Sequence, residues 1–280
     1  MNPWLVEHEP AVRLGVFVAI FGLMALWEIL ARRRSLRHGR GRRWLANAGL
    51  TLVDSLVVRL VFPAAATGAA LWVEAEGWGL LNHLAWADWA KVLTTILALD
   101  LAIYFQHVMF HAVPALWRLH QVHHADEDFD VTTGVRFHPI EILVSVIFKA
   151  AVIAALGASP LGVVLFALLL NATSMFNHGN VRLAGALDRV MRWLVVTPDM
   201  HRVHHSVELD ESNSNFGFNL PWWDRLFGTY RAQPRGGHDG MRIGVEHFEG
   251  EEPRSLLALL ALPFVGKRGR YSLGDRKPRD

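Results

Sequence analysis

Histidines fall in three tight groups between His107 and His205: HVMFH (His107, His111), HQVHH (His120, His123, His124) and HRVHH (His201, His204, His205). With His138 and His178, ten of the fifteen histidines of this 280-residue chain lie in that stretch. Residues three and four apart share a face of an α-helix, so HxxxH and HxxHH are each expected to aim their imidazoles in one direction, as a partial metal cage. Neutral imidazole suits iron, zinc, copper and nickel, and one ion takes about four to six donors, so eight to ten histidines imply two metals. Asp126, Glu141, Asp199 and Asp224 are the carboxylates placed to hold the second N–H of a ligating imidazole, each with the alternative of a helix cap or surface charge. His138 is either a ligand or a polar residue opening a helix at Pro139. His8, His38, His83, His238 and His247 read as solvent-exposed and without a role.

The chain has no cysteine, which excludes disulfides, thiolate metal sites and thiol nucleophiles and leaves His and carboxylate as metal ligands. A net charge of +2, with the basic residues in short runs, excludes a nucleic-acid-binding face. Hydrophobic residues make up 52% and mean hydropathy is +0.22, values that point to a membrane protein.

The elements that must position the histidines are apolar runs. Leu14 to Ala31 is long enough to span, lacks a signal peptide's basic flank and is expected to be retained. Arg32, Arg33, Arg34, Arg37, Arg40, Arg42 and Arg43 follow it at once, which makes that loop cytoplasmic and the N-terminus external. Leu45 to Val73 contains Asp54, Arg59 and Pro63 and reads as a kinked span or a span after an amphipathic turn. The run from Trp89 to about Phe105 delivers His107 and His111 at its inner end, Pro114 breaks it, and Arg118 to His124 resumes a helix. Ile140 to Leu156 and Leu161 to Phe176, joined by GASP, form a hairpin that returns His138 and His178 to the same side. A polar cap follows, with a helix from Leu187 to Val196, and Trp222 and Trp223 either anchor at the membrane interface or pack in the core. The apolar piece Leu256 to Val265 is too short to span. Substrate is expected to enter laterally from the bilayer, with Met109, Phe110 and Phe176 either lining its passage or packing the core.

The expected fold is therefore all-α: an integral membrane bundle of four to five membrane helices or re-entrant hairpins with a cytoplasmic, histidine-rich dimetal cap. Residues 1–280 form a single domain, with membrane helices in 1–99, a catalytic region over 100–231 and a cytoplasmic tail over 232–280.

The three histidine motifs in this order, together with RFHPIE (His138, Pro139, Glu141), NHG (Asn177, His178, Gly179), TPDMHRVHH and NLPWWDRLFGTYR, resemble the fatty acid hydroxylase/sterol desaturase superfamily of membrane non-haem diiron enzymes. The resemblance runs from about Asp100 to Arg231. It implies that His107, His111, His120, His123, His124, His178, His201, His204 and His205 are catalytic ligands of two iron ions, with His138 as a tenth candidate and zinc able to occupy the same site in purified protein. It further implies O2 as co-substrate, a lipid substrate that is hydroxylated or desaturated, a separate ferredoxin- or cytochrome-type electron donor and a location in the cell membrane. Some relatives carry a second histidine four residues after the one matched by His178; here that residue is Arg182, and His138 is the candidate replacement.

Two other classes compete. A histidine-rich metal transporter would place its ligands near the membrane midplane, whereas these lie at or beyond the ends of the spans. A zinc hydrolase needs only three ligands, and no HExxH or GxSxG motif occurs.

Overall fold

A computed structural model describes residues 8–62, 65–248 and 254–265, together with 267, 269 and 273. Among these residues the chain is helical, with no strand and only two isolated bridges, Arg32 to Val181 and Ser206 to Ile243. The elements that position the histidines are α1 (Glu9–Leu30), α2 (Gly41–Val61), α3 (Ala65–Ala75), α4 (Asp88–Ala112), α5 (Pro114–His124), α6 (Pro139–Leu156) and α7 (Pro160–Asn177). The cap contributes α8 (Gly185–Met191), α9 (Pro198–His204), α10 (Leu209–Ser212), α11 (Trp222–Leu226), α12 (Gly237–Gly240) and α13 (Leu256–Val265). Five stretches have the length and composition to cross a membrane: Glu9–Leu30, Gly41–His83, Asp88–Ala112, Pro139–Leu156 and Pro160–Asn177. The chain is an all-α protein of membrane-spanning character. Pro63 of the expected kink lies outside the described residues, and so does most of the basic tail after Val265.

Proline places several helix starts. Pro114, Pro139, Pro160 and Pro198 each sit in the first turn, where a missing N–H costs nothing and φ is already helical. The α6–α7 hairpin turns at Gly157, whose φ of 68° favours glycine, and Ser159 caps α7 by accepting from the Gly162 N–H. The expected helix from Leu187 to Val196 is shorter than its pattern, running only from Gly185 to Met191.

α4 is the central helix and packs against α5, α6 and α7, while α1 lies on α7 and α3 spans the α6–α7 pair. Leu99, Ile103, Ile153, Val163 and Phe166 form one core between these helices. The short apolar α13 folds back onto α2 and α5, burying Leu259 and Leu262 against Leu50 and Val122. Polar residues within the spans tie them to the loops above. Glu28 of α1 accepts the backbone N–H groups of Val131 and Asn180, both at 2.8 Å. Arg43, read from sequence as one of the basic loop residues, is 1% exposed and pairs with Asp126 at 2.8 Å and with Asp130.

Candidate metal centre

Nine histidines converge in two groups from the end of α4, from α5, from the residue after α7 and from the cap. His107, His111, His120, His124 and His204 form one; His123, His178, His201 and His205 form the other. Within each group the nearest ring nitrogens lie within 4.8 Å of one another, and every side chain is buried.

The groups cut across the motifs. His107 and His111 both enter the first group, but HQVHH sends His120 and His124 to it and His123 to the second. HRVHH sends His204 to the first and His201 and His205 to the second. The expectation that each HxxHH aims one way is therefore corrected. Successive residues turn by about 100° around a helix, so the neighbours of an HH pair diverge by that angle while i and i+4 differ by only about 40°. One HxxHH helix thus serves two sites lying side by side.

The outward nitrogens show how each ring is held. The His107 Nδ1–H donates to Phe216 O, that of His178 to Ser174 O and that of His204 to Ser214 O, each at 2.7 Å. His120 donates from Nδ1 to Glu141 Oε1 at 2.7 Å, and His123 to Arg136 O at 3.3 Å. An imidazole that donates from Nδ1 is left with an Nε2 lone pair. Those lone pairs face one another: Nε2 to Nε2 is 3.1 Å for His107–His120 and 3.1 Å for His123–His178, and His201 Nε2 lies 3.1 Å from His178 Nε2. Two acceptors at that separation repel unless a cation lies among them, so the donor set fits bound metal ions.

Burial, aided for most of them by the neighbouring imidazoles, holds His123, His124, His201, His204 and His205 well below the ordinary range. It brings His120 and His178 down to about 3. Neutral imidazole is the form that binds a metal.

Of the four carboxylates considered from the sequence, only Glu141 touches one of these imidazoles directly. Asp224 acts one step removed: it accepts the Phe216 and Gly217 N–H groups at 2.7 and 2.9 Å and so fixes the loop whose Phe216 carbonyl holds His107. Asp126 and Asp199 face arginines, Arg43 and Arg202 respectively. Burial works against the charged form of Asp126, but Arg43 and Arg136 outweigh it and lower its pKa.

His138 stands apart from both groups. Its Nδ1 accepts the Ile140 N–H as the cap of α6, and its Nε2 meets Leu260 O at 3.2 Å. The cap role that precedes Pro139 is the one the structure shows. Arg182, at the position where a further histidine was sought, is exposed. Of the histidines expected to be in solvent, His83 is exposed, but His238 is 7% exposed beside Asp199 and His38 meets Glu127 at 2.9 Å. Phe110 lies against His120 with ring centroids 5.6 Å apart, whereas Phe176 packs with Met24 and Val181.

The carbonyls of Ser174, Ser214, Phe216 and Arg136 escape a search for chemical side chains, because any residue supplies one. One indirect signal exists at Gly134, where a Cβ would stand 2.7 Å from Ser174 O and 3.3 Å from His178 Nδ1. A glycine is needed where backbone approaches a ligand that closely.

A fatty acid hydroxylase family model matches residues 92–229, which include all nine converging histidines. The ornithine lipid hydroxylase OlsE of Rhizobium tropici is 34% identical, over 95% of this chain and 79% of its own. Cholesterol 25-hydroxylase of Rattus norvegicus is 30% identical over 77% of this chain and 71% of its own. Alkylglycerol monooxygenase of Xenopus tropicalis is 31% identical over 68% of this chain, which spans only 42% of that longer protein. No solved structure matches. With its helical membrane architecture and paired histidine groups, the chain belongs to the fatty acid hydroxylase/sterol desaturase superfamily and is related to lipid hydroxylases and monooxygenases.

Proposed function

We propose that this protein is an O2-dependent diiron oxygenase that hydroxylates or desaturates a membrane lipid, taking electrons from a separate protein donor. The observation that carries the reading is the division of nine buried histidines into groups of five and four, with Nε2 facing Nε2 between His107 and His120 in one and between His123 and His178 in the other. Two iron ions held there would supply the reduction and cleavage of O2 and the oxidation of an unactivated C–H bond. For hydroxylation the balance is one C–H, one O2, two electrons and two protons in, and one C–OH and one water out.

The chain's own residues do the rest. Phe216, Glu141, Arg136, Ser174 and Ser214 fix which nitrogen is free on His107, His120, His123, His178 and His204, so these five rings are already oriented toward an ion. Phe110, Phe129 and Phe216 lie against the rings and keep the surroundings poor in water. The catalytic region is 100–231, and the arginines of 32–43 support a cytoplasmic orientation for it. Because the ornithine lipid hydroxylase match covers most of both chains, amino-acid-containing acyl lipids are the first substrates to test.

The test compares lipid extracts from cells with no protein, intact protein and His123→Ala. An oxygenated or desaturated lipid that appears only with the intact protein, and that incorporates 18O from 18O2 when hydroxylated, supports the reading. A mutant that alters the lipids as fully as the intact protein sinks it. Reconstitution with Fe(II) restores turnover on this reading, and reconstitution with zinc does not.

A further inference from the structure

Six large apolar side chains stand exposed on a part of the cap that has no long helix. Leu187, Val190, Trp193, Leu194, Leu226 and Phe227 are between 46% and 69% exposed, and α8 buries no residue at all. A patch of this kind marks an interaction surface.

Its position along the spans identifies what covers it. Trp223 Nε1 donates to Asp100 Oδ2 at 2.8 Å, and the Leu220 N–H reaches the same oxygen at 3.3 Å. Asp100 lies seven residues before His107 on α4, about 10 Å further into the span at about 1.5 Å per residue. Asn219 bonds Thr173, one turn inside the end of α7. Residues 219–223 therefore lie alongside α4 and α7 below the level of the histidines, and they partner an acid that would otherwise be costly within a span.

The apolar face also runs on from the membrane-facing surface of α4. The Phe227 ring stacks on Tyr104 at 5.4 Å and meets Phe105 at 5.1 Å, and Phe105 is itself 44% exposed on that helix. Arg225 lies between the rings of Trp193 and Tyr230, 3.9 and 4.0 Å from their centroids. Exposed Arg189 lies on α8 between Leu187 and Val190. Apolar faces with tryptophan and arginine at the rim belong to elements seated in the headgroup region.

We infer that α8, α11 and the loop before α11 form a re-entrant element embedded in the leaflet on the histidine side, with acyl chains covering its apolar face and lipid phosphates meeting its arginines. A cavity of about 550 Å3, apolar along Tyr104, Phe105, Val108 and Phe227 and polar along Asp210 and Arg231, then opens at the leaflet boundary. Phe216 is its inner wall, with its ring 5.2 to 5.5 Å from those of His107, His111 and His204. On the oxygenase reading, this is the port through which a lipid reaches the metal centre.

The absence of cysteine makes the test direct, because any introduced thiol is the only one. Full-length Leu194→Cys, Leu226→Cys, Val108→Cys, Leu169→Cys and Glu208→Cys are labelled with a nitroxide and reconstituted into phosphatidylethanolamine/phosphatidylglycerol vesicles. Collision rates with O2 and with a water-soluble nickel chelate report depth. Leu194, Leu226 and Val108 labels are expected to match Leu169, an exposed residue of α7, with high O2 and low nickel contact, while Glu208 reads as aqueous. Nickel contact at Leu194 and Leu226 equal to that at Glu208 overturns the embedding, as does spin–spin broadening at Leu226 that shows a second copy on the face. Nickel contact at Val108 overturns the port. Depth is read without turnover, so these outcomes are separate from failure of the oxygenase reading.

Discussion

Replacing Glu141 by Gln isolates what one buried carboxylate does for the metal centre. Glu141 is 4% exposed on the first turn of α6, and Oε1 accepts the His120 Nδ1–H at 2.7 Å, while His120 Nε2 faces His107 Nε2 at 3.1 Å. The carboxylate fixes the His120 tautomer and makes Nε2 a stronger donor to a cation. Gln fills the same space and its carbonyl can still accept, so what is lost is charge rather than shape. Groups that hold a ligating imidazole this way are worth 10–100-fold in metal affinity or activity, about 1.4–2.7 kcal/mol. Glu141→Ala loses more, since it also strands a buried Nδ1–H, at about 1–3 kcal/mol. The assay is competition of apo-protein against a chelator for Fe(II) under anaerobic conditions, alongside lipid turnover. Asp126→Asn is the control, because Asp126 pairs with Arg43 and Arg136 and no histidine, so it should lower thermal stability without selectively weakening the first metal. Wild-type affinity and turnover in Glu141→Gln would refute the reasoning.

The other predictions concern the groups around that pair. His138→Ala should retain both metals and lose about 1 kcal/mol of stability through the α6 cap, read as metal content and thermal midpoint; loss of a metal would restore His138 as a ligand. Gly134→Ala forces a Cβ to within 2.7 Å of Ser174 O and displaces His178, so bound metal should fall from two ions per chain toward one. Acid should destabilise the metal-free protein. Burial keeps seven imidazoles (His120, His123, His124, His178, His201, His204 and His205) below their ordinary value of 6.5 in the folded state, so the unfolded chain takes up more protons as pH falls through 6.5. Each contributes up to about 1.4 kcal/mol per pH unit, and bound metal should oppose the effect. A thermal midpoint that stays flat from pH 7.5 to 5 without metal would contradict this.

The sequence reveals the helices and the nine histidines that converge because both rest on side-chain type and period. Apolar runs long enough to span, prolines at helix starts and histidines three and four apart are all local patterns. The helical turn separates the members of each HxxHH, but which histidines of other elements join each of them is not local. That His123 meets His178, His201 and His205 depends on how α5 lies against α7 and α9, and no spacing within HQVHH encodes it. His138 shows the converse, since its motif context suits a ligand equally well as a cap. What separates it from the site is that it opens α6 with its ring turned toward the Leu260 carbonyl, a contact set by α13 more than a hundred residues away.

Arg43 and Asp100 sharpen the same point. In the sequence Arg43 is one more charge in a run of seven, and its position supports a rule about loops and membranes. In the fold it is drawn beneath the loop that follows α5, where it faces Asp126 and Asp130 while Asn47 bonds Thr132. That loop leads to Gly134 and Arg136, whose backbones approach His178 and His123. A residue that reads as a topological signal therefore holds the loop whose backbone approaches two histidines of the second group. Asp100 reads as an isolated acid within a span, yet it is the acceptor that draws Trp223 and the Phe216 loop down beside α4. Polar groups within the apolar helices are thus the anchors by which α4 and α7 hold the cap, through Asp100 and Thr173, and the cap carries three of the nine converging histidines.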